Sequence, residues 1–145
     1  MPTVYRSMKR DDDGLPRVGS NSSELGVRVP PNPHADVDLD ENGFVVLNEK
    51  GMSVVEHWSR LPPWLIPTRL KPLAKDARGS DALSCYRIGD GPFEPKPLND
   101  SLALALKPHD PLAGVVAPLR TVPAEQYQKD LAATRDDWVS DENMP

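Results

Sequence analysis

The chain has a single cysteine, Cys85, so no intramolecular disulfide can form and a cysteine-based structural zinc site has no basis. Cys85 reads as a small core residue in a reducing cytoplasm. No apolar run approaches the roughly 18 residues that span a bilayer. The opening MPTVYRSMKRDDDG also lacks a hydrophobic signal region. The expectation is a cytoplasmic protein with no membrane partner, delivered elsewhere only by a secretion system that reads no such signal. Clustered positive charge is missing too. The 17 Lys and Arg are dispersed among 22 Asp and Glu, and the net charge of −5 argues against a general nucleic-acid binder. No P-loop, dinucleotide glycine fingerprint, H-E-x-x-H or G-x-S-x-G occurs, which argues against the reaction classes those motifs serve.

What is abundant is proline, 17 of 145 residues. Proline fixes φ and removes a ladder donor, so short strands and extended connections are expected around at most one long helix. The length suits one domain, residues 1–139, followed by a polar flexible tail at 140–145. Residues 43–61, GFVVLNEKGMSVVEHWSRL, join two apolar runs through a tight turn. They predict a strand at 44–47, a turn at 48–51 with positive φ at Gly51, and a return through Met52, Ser53, Val54 and Val55. Near alternation over residues 3–8 predicts an opening strand with Val4, Arg6 and Met8 on one face. Further strands are expected at 25–29, 82–88, 101–106 and 114–117, with 101–106 at the centre of the sheet. Pro123 opens a C-terminal amphipathic helix with Ala124, Tyr127, Leu131, Arg135 and Trp138 along one face. Strands outnumber helices, so the class is α+β.

The candidates for chemistry are few. Asp36, Asp38 and Asp40 in HADVDLD fill the front of a calcium loop, but Glu41 stands where glycine is required and Leu47 where a bidentate acid is needed. A solvated edge with charges that discourage strand pairing is the reading taken, and no metal is expected. His34, His57 and His109 lie in separate segments, each a surface residue or a base awaiting a partner. Trp58 and Trp64 sit among prolines in residues 58–67, where aromatics close the end of a core or line a ligand slot. Residues 69–78 carry the one basic patch, Arg69, Lys71, Lys75 and Arg78, which is a solvated loop or a surface for an anionic ligand or partner.

The order of segments resembles the type VI secretion effector toxins that have an ADP-ribosyltransferase-like fold. The resemblance runs through Val4-Tyr5-Arg6, Gly26-Val27, Asp36-Val37, Asn42-Gly43 and the corner Gly51-Met52-Ser53-Val54-Val55, and continues through 102–106 into the C-terminal helix. It implies a short-stranded split β-sandwich with NAD in the cleft between its sheets, and ADP-ribosyltransferase or NAD-consuming activity on an intracellular target. Arg6, with Tyr5 beside it, would hold the dinucleotide, and Ser53 would be the catalytic hydroxyl orienting the nicotinamide ribose. A guanidinium can fork onto phosphate or ribose oxygens, and a nearby carboxylate would stabilise the oxocarbenium-like state of glycosidic cleavage. A toxin of this kind also implies a neutralising immunity protein as partner. The chain departs from the family where the strand at 102–106 carries no acid or amide, which leaves Asp100, Asp110 and Glu125 unassigned. Met52 stands where the family has a small polar residue. Without the resemblance, Arg6 reads as a strand arginine paired with an acid and Ser53 as a turn serine bonding its own backbone. The chain then becomes a non-enzymatic interaction module presenting residues 58–67 and 69–78.

Overall fold

The computed structural model describes residues 1–143. Its strands are β1 (Val4–Lys9), β2 (Met52–Val55), β3 (Leu83–Ile88), β4 (Leu102–Lys107), β5 (Asp110–Pro118) and β6 (Val139–Ser140), joined by one helix, α1 (Ala124–Ala132). The class is α+β. All strands belong to one antiparallel sheet in the order β4-β5-β2-β1-β3-β6, rather than to two stacked sheets.

Successive side chains of a strand point to opposite faces, and both faces of this sheet are covered. Val4 and Met8 of β1 enter one core with Tyr127 and Leu131 of α1, Trp138, and the loop residues Leu25, Val27, Val37 and Val45. Tyr5 enters the other with Trp58, Leu61, Ile66, Leu70 and Ala77, which lie on three short 3₁₀ turns and the segment that follows them. Burial on both sides explains why β1 is closed along almost its whole length.

Several expected elements differ from what forms. Residues 44–47 make no hairpin with β2. Phe44 and Val45 form only isolated bridges, to Pro123 and Leu39, and the Val45 amide donates to Val122 O at 2.8 Å. The apolar run therefore buries Val45 without joining the sheet. Positive φ falls on Glu49 (66°) and not on Gly51. Gly51 is required for a different reason, since a Cβ there would lie 2.8 Å from both Val116 O and the Tyr127 hydroxyl. Residues 25–29 bury Leu25 and Val27 but contribute only a single bridge, Val18 to Leu25. The expected central strand is β4, at the edge of the sheet, where Pro97 bridges to Ala103 and covers it. Proline lacks the N–H of a ladder and suits that position.

Of the tail expected to be flexible at 140–145, residues 140–143 are held, and 144–145 lie outside the described residues. Ser140 pairs with Tyr86, Asp141 accepts from Tyr5 Oη at 3.0 Å and Arg87 Nε at 2.9 Å, and Glu142 meets Arg69 at 2.7 Å. The helix ends earlier than its apolar spacing suggested. Residues 135–137 form a 3₁₀ turn, and Arg135 leaves the apolar face to bind Pro16 O and the Asp11 and Asp13 carboxylates.

Candidate functional site

β1 and β2 are directly paired at one position only, Tyr5 with Val55. On either side of them the ladders are longer, six positions to β3 and four between β2 and β5. The middle of the sheet is thus its most weakly closed seam. Arg6 bridges it from β1. Its Nη1 donates to Ser53 O at 2.8 Å, its Nη2 to Ser22 O and Glu24 O at 3.0 Å each, and its Nε to Glu24 O at 3.4 Å. The guanidinium is buried and has no carboxylate partner among the described residues, so three backbone carbonyls solvate it. Burial lowers its pKa to about 10, opposed by the field of Asp36, and it stays charged at neutral pH.

A cavity of about 750 Å³ opens along this seam and is lined from both faces of the sheet. Arg6, Ser22, Ser23, Arg28 and Asp36 line it on the α1 side, with Arg28 and Asp36 joined at 2.9 Å. On the opposite face the lining includes Ser7 and Lys9 of β1, Ser53 of β2, Arg60, Trp64, Lys107 and Asp110. Five cationic side chains stand against two carboxylates, so the cavity is positive in a chain of net charge −5. Lys9, Arg60 and Lys107 form no ion pair among the described residues. Such a volume is that of a small-molecule site.

The expected site residues reach this cavity unequally. Arg6 and Ser53 both line it and are joined through the Ser53 carbonyl, but their side chains leave opposite faces of the sheet. Ser53 is exposed, across from Val115. Tyr5 does not line the cavity. Its ring packs 5.0 Å from that of His57, and burial, reinforced by the hydrogen bond to Asp141, raises its pKa to about 12.

The two tryptophans take one of the weighed roles each. Trp58 is wholly buried and donates to Asn143 O at 2.8 Å, whereas Trp64 is 57% exposed at the cavity wall with Arg78 over its ring at 5.8 Å. Arg69 is committed to Asp81 and Glu142, so the basic patch is not a free surface at that position. His57 caps the 3₁₀ turn Trp58–Arg60, accepting from the Ser59 amide, which ties it to structure. Of the unassigned carboxylates Asp110 reaches the cavity, and Asp100 and Glu125 do not.

Sequence reading passed over Ser7, Lys9, Arg60 and Lys107. For the first two a signal existed, since a serine and a lysine follow Tyr5 at alternate positions on one face of β1. The other two arrive from distant segments. Among the described residues no helix is long and apolar enough to cross a membrane, and no group of three or more His, Cys, Asp or Glu is placed to hold a metal ion. Comparison with family models, curated proteins and solved structures gave no match for this chain, so the chemistry of the site is carried by its own residues.

Proposed function

We propose that this protein binds a phosphorylated nucleotide, NAD first among them, in the seam between β1 and β2. The observation that carries the reading is the charge of the cavity, positive within an acidic chain, with an exposed tryptophan at its wall. Cations meet phosphates, and an exposed indole offers a stacking face to a base. Ser53 supplies a hydroxyl for the ribose. The resemblance to ADP-ribosyltransferase-like secreted toxins adds an activity to this reading, namely cleavage of the nicotinamide glycosidic bond. That activity would rest on Asp110, the lining carboxylate without an ion pair among the described residues, for the oxocarbenium-like state. The cytoplasmic target and a neutralising protein belong to the same proposal.

The test is calorimetric titration of NAD together with release of nicotinamide followed by chromatography. Binding is expected at low salt and should weaken as salt is raised, because exposed cations are screened. Trp64→Ala and Lys107→Ala should each weaken binding several-fold, and Asp110→Asn should spare binding and abolish release. No heat of binding for NAD or ADP-ribose at low salt would overturn the reading. Arg6→Ala is a poor diagnostic, since it strands the carbonyls of Ser22, Glu24 and Ser53 whether or not a ligand binds. Growth impairment on expression, relieved by Ser53→Ala, tests the toxin component separately.

A non-enzymatic protein contact is the second reading, favoured by one feature. A groove of about 550 Å³ beside Lys71, Leu73 and Lys75 leaves Leu73 49% exposed. Partner binding that survives Lys107→Ala and fails in Leu73→Asp would support it.

A further inference from the structure

Six polar or charged side chains are buried in the described structure: Arg6, Ser7, Glu24, His57, Ser84 and Thr134. Five are hydrogen-bonded. Ser84 Oγ accepts from Arg10 at 2.7 Å, and Thr134 Oγ1 donates to Leu131 O at 2.7 Å. Ser7 Oγ is the exception: it is buried with no hydrogen-bond partner among the described residues. A buried hydroxyl without a partner is costly to the free protein, so its retention needs a reason.

Its position supplies one. Ser7 is 3% exposed, lies on β1 and belongs to the lining of the seam cavity. Extending the Tyr5–Val55 register by two residues sets Ser7 across from Ser53, where the strands are no longer paired. Lys9, two residues along β1 and therefore on the same face, also lines the cavity and has no ion-pair partner among the described residues. Ser7 and Lys9 thus line one space from one strand, with the Ser7 hydroxyl closed off from solvent in the free protein. Phosphate oxygens accept from both.

Resting on the nucleotide reading above, we infer that Ser7 and Lys9 form the phosphate seat of this site, with the Ser7 hydroxyl donating to a phosphoryl oxygen and the Lys9 ammonium neutralising it. Ser7 is then a ligand contact whose hydroxyl, idle and closed to solvent in the free protein, is uncovered when phosphate enters the lightly paired seam. Lys107 and Arg60 face the remaining charge of a polyphosphate. The sugar or base is left to Ser53 and Trp64.

The experiment compares wild type, Ser7→Ala and Lys9→Met by calorimetry with ADP and with adenosine, and by thermal unfolding without ligand. Wild type should bind ADP and bind adenosine far more weakly. Ser7→Ala should lose about ten-fold in affinity for ADP, the worth of one hydrogen bond to a charged group, with little change for adenosine. The same substitution should raise the unfolding temperature of the free protein by a few degrees, because it removes an unpartnered hydroxyl. Lys9→Met should weaken ADP binding and flatten its salt dependence while leaving folding intact. Wild-type affinity for ADP in Ser7→Ala, with the parent binding normally, overturns the phosphate seat and leaves the nucleotide reading standing. A lowered unfolding temperature also overturns it, since the hydroxyl would then have a partner in the free fold. A wild type that binds neither ADP nor NAD overturns both.

Discussion

The Tyr127 hydroxyl ties two strands to the helix above them. It donates to Val116 O of β5 and accepts from the Met52 amide of β2 at 3.1 Å, while the ring is wholly buried. Burial raises the pKa of this phenol far above its ordinary value, so it remains a neutral donor across the whole working range. Gly51 is small because this hydroxyl and Val116 O occupy the space beside it. Tyr127→Phe keeps the ring and leaves one carbonyl and one amide without their partner in a dry region. The expected loss is about 1–3 kcal/mol in urea unfolding, with an unchanged slope. Loss within a few tenths of wild type would mean that the two strands satisfy each other without the phenol. At this scale Arg6 behaves in the same manner as Tyr127. It is a polar side chain whose main partners are backbone carbonyls, which is why an expected acidic partner never materialised.

Among the elements, the C-terminal strap of β6 and residues 141–143 is the clearest case of a short segment holding a long one. Asp141 receives the Tyr5 hydroxyl and the Arg87 guanidinium, and Asn143 O receives Trp58 Nε1. Burial alone would raise the Asp141 pKa, but hydrogen bonds from the Asn143 amide, Tyr5 and Arg87 outweigh it and hold the carboxyl below its ordinary range. A depressed folded-state pKa stabilises above the unfolded value, near 4, and that stability is lost as pH falls through the folded value. Asp141→Asn should therefore lower stability at pH 7 by about 1 kcal/mol, discounted because Arg87 is partly solvated, and should flatten the acid limb of the stability profile. Unfolding temperatures measured from pH 3 to 7 decide it, and parallel curves for the two proteins would remove Asp141 from the acid response.

The strap also marks where sequence reading stops. β1, β2, β3, β4 and the inner part of β5 were visible because alternation and β-branched residues are local signals, and α1 because Pro123 and the spacing of Tyr127 and Leu131 are local too. Ser140, Asp141 and Glu142 look like any polar terminus until Tyr86, Tyr5 and Arg69 are folded against them. Strand order was equally hidden: the leucines of β4 give it a buried face whether it lies at the edge or in the middle. Arg6 stood out as a charge between Val4 and Met8, but Arg60 and Lys107 join its cavity only through the tertiary fold.

Over the whole molecule, the buried thiol and phenols make the fold sensitive to alkali as well as to acid. Burial raises the Cys85 thiol from 9.0 to about 12, helped by the charge of Glu142. Burial raises Tyr5 from 10.0 to about 12, and it also raises Tyr86 and Tyr127. Each is neutral when folded and readily ionised when unfolded. A raised folded-state pKa gives stability that is complete below the unfolded value and is lost as pH climbs toward the folded one. The net charge of −5 acts in the same direction, because every further ionisation adds to self-repulsion. The unfolding temperature should therefore be nearly level from pH 7 to about 9 and then fall steadily. Cys85→Ala removes the group that titrates first, so its curve should stay level to about pH 10, where the tyrosines begin. Circular dichroism melts of both proteins across pH 7 to 11 test this, and an identical onset in the two would show that Cys85 ionises in the native state and contributes nothing to the alkaline limit.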